Sequence, residues 1–110
     1  MIQTINSIED FNQTISTKKG VLIYFSHEQC NVCKVLKPKV HQLLQDIFPK
    51  MEMFYADTVI NPEIAAQNSV FTVPTILVFF EGKEFIRKSR NVGVEELRLA
   101  INRPYELMFD

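Results

Sequence analysis

The chain has 110 residues, a length that suits one domain and excludes a multi-domain enzyme. Hydrophobic residues make up 46% of it, including 9 Phe, which is enough to fill a core and argues against intrinsic disorder. The 12 basic and 13 acidic side chains leave a formal net charge of -1, so electrostatics favours neither a nucleic acid nor a membrane surface as partner. With 2 Cys, the chain is not a scaffold held by several disulfides.

The hydrophobic pattern predicts nine elements in the order β-α-β-α-β-α-β-β-α. In chain order they are a strand at Ile2–Ile5, a helix from Ile8 to about Lys18, a strand at Val21–Phe25, a helix from about Val32 to Phe48, a strand at Met51–Ala56, a helix from Pro62 to about Asn68, strands at Thr75–Phe80 and Lys83–Lys88, and a helix from Glu95 to about Asn102. This alternation predicts an α/β fold with a parallel core and a terminal antiparallel hairpin. Helices should cover both faces, because the central strands have no polar side.

Local signals support these boundaries. Ser7 is a candidate N-cap for the first helix, with Asp10 three residues later as its capping partner. Pro38 lies inside the second helix and is expected to kink it. We predict one domain over residues 1–103 and a short tail over residues 104–110. The tail is expected to pack on its own domain, and partner binding is the alternative.

The first residues carry neither a basic nor an apolar segment, so a secretory signal is not expected. The longest apolar runs, Val21–Phe25 and Ile76–Phe80, are too short to span a bilayer. We therefore expect a cytoplasmic protein without membrane contact, and we expect it to be a monomer. Structural disulfides are rare in that compartment.

The two cysteines form a C-x-x-C sequence between an apolar strand and a helix. Cys30 would lie at the helix N-terminus, where free N–H groups and the macrodipole favour a thiolate. Cys33 lies one turn later, within reach of a disulfide. This placement predicts that Cys30 attacks a substrate disulfide and that Cys33 resolves the mixed disulfide.

Two alternatives for the pair remain open. The thiols could be buried and inert, since cysteine is often buried. A C-x-x-C sequence also makes half of many zinc sites, and His27 stands three residues before Cys30. His41 lies eleven residues beyond Cys30, about 16 Å along a helix, so it could not join the same site. A three-ligand site between two chains is the metal alternative, and we expect no bound metal.

With these motifs the sequence resembles the thioredoxin family over most of its length. The matching features are the apolar strand, a four-residue loop, the C-x-x-C-K sequence and the helix-kinking proline at the same spacing, followed by Asn61-Pro62, Thr72-Val73-Pro74-Thr75 and Phe80-Glu81-Gly82-Lys83. The match extends to about Asn102. It implies a thioredoxin fold, with a central mixed sheet of about five strands and helices on both faces.

The resemblance also implies where a substrate would bind. The Val73-Pro74 bond would be cis and would lie against the cysteine pair. Val73 would offer its backbone N–H and C=O to an extended peptide. Gln29, Asn31 and Val32, around the first cysteine, are the other candidate substrate-binding residues.

The implied activity is protein disulfide oxidoreduction, as part of cell redox homeostasis. The electron donor would be a flavin-dependent thioredoxin reductase, and no cofactor would be bound beyond the redox-active disulfide of Cys30 and Cys33. A glutaredoxin-like enzyme is a second possibility, but the Gly-Gly-x-Asp sequence of that relative is absent after Pro74. A third is a binding or adaptor module of the same fold with weak or no redox turnover.

Several residues depart from the family pattern. Tyr24 stands where the family places a buried Asp that assists the resolving cysteine, and a phenol is a poor base at neutral pH. Gln29 replaces a Trp, and Asn31-Val32 replaces Gly-Pro. The Gly that approaches the site after the last strand is displaced, which predicts Ser89 or Asn91 in its place.

Two further side chains could modulate the pair. His27 could donate a hydrogen bond to the thiolate or move a proton, although an exposed loop histidine is the simpler interpretation. Lys34 could support the thiolate by its charge, although a solvated helix face is the default for such a lysine.

Overall fold

The computed structural model describes residues 2–109, so Met1 and Asp110, the outer ends of the predicted domain and tail, lie outside it. The order of the nine elements is as predicted. They are β1 (Gln3–Thr4), α1 (Ile8–Thr17), β2 (Gly20–Ser26), α2 (Asn31–Ile47), β3 (Glu52–Asp57), α3 (Pro62–Gln67), β4 (Thr75–Phe80), β5 (Lys83–Ser89) and α4 (Val94–Phe109). The predicted mixed five-stranded sheet with flanking helices is confirmed.

The sheet has the strand order β1-β3-β2-β4-β5. β1, β3 and β2 run parallel, whereas β4 is antiparallel to both of its neighbours. The parallel part therefore ends at β2, because the chain returns from α3 into β4 in the opposite direction. β2 lies at the centre and all seven of its residues are buried, which explains its lack of a polar face.

Each face of the sheet carries two helices. α2 and α4 contact one another on one face, and α1 and α3 do so on the other. The first layer is filled by side chains such as Leu36, Val40 and Leu97, and the second by Phe11, Phe25 and Ile64. No helix within residues 2–109 is long and apolar enough to cross a membrane.

The N-cap predicted for α1 is present, whereas the kink expected at Pro38 in α2 stays a prediction. The Asp10 N–H donates to Ser7 Oγ at 3.0 Å, and the Asp10 carboxylate accepts from the Asn6 N–H at 3.1 Å. The first contact satisfies a donor that a helix start would otherwise leave free, and the second ties the helix to the residue before its N-cap. α2 continues through Pro38 to Ile47.

The last helix is longer than expected. α4 does not end near Asn102 but continues through Pro104 to Phe109. The Tyr105 ring packs edge-on against Phe48 with centroids 4.9 Å apart, and its hydroxyl accepts from the Lys50 N–H at 3.1 Å. Residues 104–109 therefore form the end of a helix that packs on its own domain, as expected for the tail.

The end of α4 also covers the start of β2. A Cβ built on Gly20 would lie 2.8 Å from Phe109 Cε2 and 3.1 Å from Phe80 Cε1. The Phe109 ring thus occupies the space that any larger residue at position 20 would need. This contact joins the C-terminal helix to the central strand that leads into the cysteine pair.

Candidate active site

The cysteine pair lies at the junction of β2 and α2 and is joined as a disulfide, with the Cα atoms 5.3 Å apart. Cys30 is the N-cap of α2, and its Sγ accepts from the Cys33 N–H at 3.2 Å. Cys30 is partly exposed, whereas Cys33 is fully buried. The two sulfurs therefore differ in access to solvent and in contact with the helix terminus.

The loop before the pair is held by its own hydrogen bonds. The Cys30 N–H donates to the His27 carbonyl at 3.2 Å, and the Gln29 N–H donates to His27 Nδ1 at 3.1 Å. His27 thus shapes the loop that presents Cys30.

Tyr24 lies under the buried cysteine. Its side chain is fully buried, and its hydroxyl donates to the Cys33 carbonyl at 2.7 Å. Burial raises the pKa of Tyr24 well above its usual value, and the neighbouring Tyr55 raises it further. The phenol therefore stays protonated at neutral pH and holds the first turn of α2 on the central strand.

A buried polar cluster next to Tyr24 was missed by the sequence reasoning. Tyr55 pairs with Tyr24 across β2 and β3, and burial raises the pKa of Tyr55 to about 12. Its hydroxyl donates to the buried Asp57 carboxylate at 3.3 Å. Ser26 and Asp57 are paired at the carboxyl ends of these parallel strands, and that position was the available signal.

The Asp57 carboxylate accepts three hydrogen bonds. Its Oδ1 accepts from the Val59 and Ile60 N–H groups at 2.9 and 3.0 Å. Burial alone would raise the pKa of Asp57, but these N–H groups, the Tyr55 hydroxyl and nearby His27 together hold the pKa below its usual range. Asp57 is therefore a fixed anion that organises the β3–α3 loop, not a proton acceptor at neutral pH.

The predicted cis peptide bond is present between Val73 and Pro74. Pro74 is buried and Val73 is partly exposed. Val73 and Cys30 pack against the same buried cluster, which also contains Cys33. Thr75, which follows Pro74, pairs with Phe25 at the end of β2 that leads to the cysteine loop, so the motif before β4 and the cysteine pair lie at the same end of the sheet.

The remaining predicted site residues lie on the surface around Cys30. Gln29, Asn31, Val32 and Lys34 are exposed, and Val32 is 65% exposed. None of them has a side-chain hydrogen bond among residues 2–109.

Arg90, which was not among the predicted site residues, lies beside the cis Val73-Pro74 bond, and the expectation of Ser89 or Asn91 near the site stays a prediction. Its backbone is left-handed, with φ of 63°, and its N–H donates to the Pro74 carbonyl at 2.8 Å. In the β4–β5 hairpin Phe79 pairs with Glu84 and Val78 with Ile86, so Phe85 is an extra, bulged residue. This bulge shifts the following residues by one and brings Arg90 beside the cis bond.

A thioredoxin family model matches residues 2–103 of the chain. The chain belongs to the thioredoxin family. Thioredoxin-like protein YdfQ of Bacillus subtilis is 36% identical over 106 residues, which cover 96% of this chain and 91% of YdfQ. Thioredoxin of Chlamydia trachomatis is 33% identical over 96 residues, which cover 87% of this chain and 88% of that protein.

The solved structure of Fasciola hepatica thioredoxin is similar as well. It matches with a TM-score of 0.82 at 29% identity, over 92% of this chain and 97% of that one. Thioredoxin family members are disulfide oxidoreductases, and the Cys30–Cys33 pair supports thiol–disulfide oxidoreductase chemistry in general. Within residues 2–109, no group of three or more His, Cys, Asp or Glu side chains could hold a metal ion.

Proposed function

We propose that the protein is a dithiol–disulfide oxidoreductase of protein disulfides, in which Cys30 attacks and Cys33 resolves. The observation that carries this proposal is the contrast between the two sulfurs. Cys30 is partly exposed at the N-cap of α2, and Cys33 is fully buried one turn later. A substrate sulfur can reach the first and not the second.

Each reaction cycle moves two electrons. The Cys30 thiolate, stabilised by the Cys33 N–H and the α2 terminus, attacks a substrate disulfide and releases one substrate thiolate. The Cys33 thiol then loses its proton and attacks Cys30 Sγ, which releases the second substrate thiolate. The protein ends with the Cys30–Cys33 disulfide, and the substrate ends as a dithiol.

The substrate chain would lie against Val73, whose backbone would pair with it as an added strand. Gln29, Asn31 and Val32 would contact it on the other side of Cys30. Support comes from the exposure of these three side chains and from the partial exposure of Val73 at the same end of the sheet as the pair.

The modulating residues would act by position and charge. Tyr24 would fix Cys33 through its carbonyl, and His27 would hold the loop that presents Cys30. The exposed Lys34 would add positive charge near the thiolate. The protein would work as a cytoplasmic monomer in cell redox homeostasis, without a bound cofactor, and a thioredoxin reductase would return electrons to the disulfide.

A trapping experiment tests the assignment of roles. The Cys33→Ser variant should accumulate mixed disulfides with oxidised protein substrates, because attack survives and resolution does not. The Cys30→Ser variant should trap none, and the Cys30→Ser/Cys33→Ser double variant is the matched background. Non-reducing gels with mass spectrometry give the yields. Equal yields from the two single variants would contradict the proposal.

The buried Tyr24 favours a second candidate, a binding module of the same fold without turnover, because it supplies no base beside Cys33. Reduction of insulin disulfides separates the two functions. Turnover by the wild type that is lost in Cys30→Ser supports the oxidoreductase. Equal and negligible turnover in both proteins supports the binding module.

A further inference from the structure

An open groove of about 560 Å³ lies beside the cysteine pair, between α2 and the segment that joins β5 to α4. Its α2 wall is a single helix face, because its residues recur at spacings of three and four: Val32, Val35, Leu36 and Lys39. Val32 and Val35 are 65% and 61% exposed. The wall next to Cys30 is therefore apolar and uncovered.

The charged side chains that line the groove are both cations, Lys39 and Arg90. Neither takes part in an ion pair within the described part of the chain. The acidic residues in the first turn of α4 are already paired with other cations. The groove thus joins an apolar wall to two positive charges that lack a counter-charge, in a protein whose net charge is -1.

Arg90 is held in place by its backbone. Its N–H donates to the Pro74 carbonyl at 2.8 Å, and its own carbonyl accepts from the Val92 N–H at 2.8 Å. These bonds fix the Arg90 Cα next to the cis bond against which a substrate would lie. The Arg90 side chain is exposed, and a guanidinium that extends from this fixed backbone can bind a carboxylate through two parallel hydrogen bonds.

We propose that this groove selects disulfides whose cysteine is flanked by apolar residues and an acidic side chain, with Arg90 and Lys39 facing the carboxylate. The inference rests on the proposed oxidoreductase function and names a substrate class for it. Complementary charge at a rim speeds encounter and sets the preference among partners, whereas the apolar wall supplies contact area.

Single-turnover reduction of synthetic peptides tests the proposal. Disulfide-linked peptide dimers share one apolar sequence and carry Glu, Gln or Lys two residues from the cysteine, on either side. The reduced protein transfers two electrons to the peptide disulfide, which yields the Cys30–Cys33 disulfide and two peptide thiols. Acid quenching and chromatography give the second-order rate constants.

The wild type should reduce the Glu peptide about threefold faster than the Gln peptide at low salt, which is the scale of an exposed ion pair. The Lys peptide should be the slowest, and the preference should shrink at about 1 M salt. In the Lys39→Gln/Arg90→Gln variant the Glu-to-Gln ratio should fall to about one. The matched Lys83→Gln/Arg103→Gln variant removes two exposed cations outside the groove and should keep the ratio.

The contrary outcomes separate the two proposals. Reduction of all three peptides at one rate would overturn the charge selection and leave the oxidoreductase function standing. A Glu preference that survives in Lys39→Gln/Arg90→Gln would overturn the assignment to this groove. Failure to reduce any peptide would overturn the proposed function and the selection with it.

Discussion

The Tyr24 hydroxyl bridges the central strand and the helix that carries the cysteines. Replacing Tyr24 with Phe removes this buried donor to the Cys33 carbonyl and should lower the free energy of unfolding by about 1 kcal/mol. Urea unfolding measures the change. Tyr105→Phe is the matched control, since that hydroxyl is only partly buried and should matter less.

Tyr24 should also affect how the rate of disulfide reduction depends on pH. Because the phenol does not ionise near neutral pH, the pH profile of disulfide reduction should have the same shape in wild type and Tyr24→Phe between about pH 6 and 9. Tyr24→Asp would supply a carboxylate near Cys33 and should speed reduction at neutral pH. A changed profile in Tyr24→Phe would contradict the role of Tyr24 as a positioning residue. An unchanged rate in Tyr24→Asp would contradict the idea that the missing carboxylate slows the resolving step.

The buried Asp57 carboxylate should make the free energy of unfolding depend on pH. Its pKa is lowered in the folded chain, so the folded state binds fewer protons than the unfolded state near the carboxylate's usual pKa. The contribution of Asp57 to stability is therefore complete above about pH 4 and is lost as the pH falls through its lowered pKa. Asp57→Asn should cost about 1 kcal/mol at neutral pH.

Urea unfolding of wild type and Asp57→Asn at neutral pH and near pH 3 provides the test. The difference in unfolding free energy should narrow on acidification, since protonation removes the advantage of the wild-type carboxylate. A difference that stays constant or widens would show that the Val59 and Ile60 N–H groups do not stabilise the charged form.

At the level of elements, the C-terminal end of α4 and the start of β2 depend on one another. Gly20→Ala should cost about 1 kcal/mol, because the new Cβ would meet the Phe109 ring at 2.8 Å. In a Phe109→Ala background the cost should largely disappear, which is a non-additive result in a double-mutant cycle. Thermal and urea unfolding of the four proteins measure it.

Gly93→Ala is the matched control for that cycle. A Cβ at Gly93 would meet only the Glu96 Cβ, at 3.8 Å, which is ordinary contact. Its effect should stay within about 0.5 kcal/mol in either background. Additive effects of Gly20→Ala and Phe109→Ala would show that the α4 end does not lie on β2 in solution.

The helices also show which sequence signals were sufficient to predict where a helix begins and ends. Apolar periodicity and capping residues located α1 and α2, since these helices are set by contacts within a few residues. The end of α4 could not be predicted from the sequence, because Pro104 usually breaks a helix and here tertiary packing overrides that local preference. Tyr105 packs on Phe48 and Phe109 packs on Phe80, and both partners are far away in the sequence.

For the molecule as a whole, the C-x-x-C sequence indicated the cysteine pair and the resemblance to the thioredoxin family implied the cis bond. Long-range strand register decides which other residues lie near them. Asp57 joins the site because β3 pairs with β2 in a register that sets it beside Ser26. Arg90 joins it because one bulged residue in β5 shifts the chain that follows. Neither register nor bulge can be read from spacing alone, so Asp57 and Arg90 were not among the predicted site residues.

The neutral Tyr24 under Cys33 has an electrochemical consequence. A carboxylic acid in that place would take up or release a proton as conditions change, and its charge would alter the poise of the adjacent couple. The phenol offers no such charge at physiological pH. The environment of the disulfide at Tyr24 therefore does not change its charge with pH. The reduction potential of the pair should vary with pH through the ionisation of the two thiols, without a contribution from this neighbour.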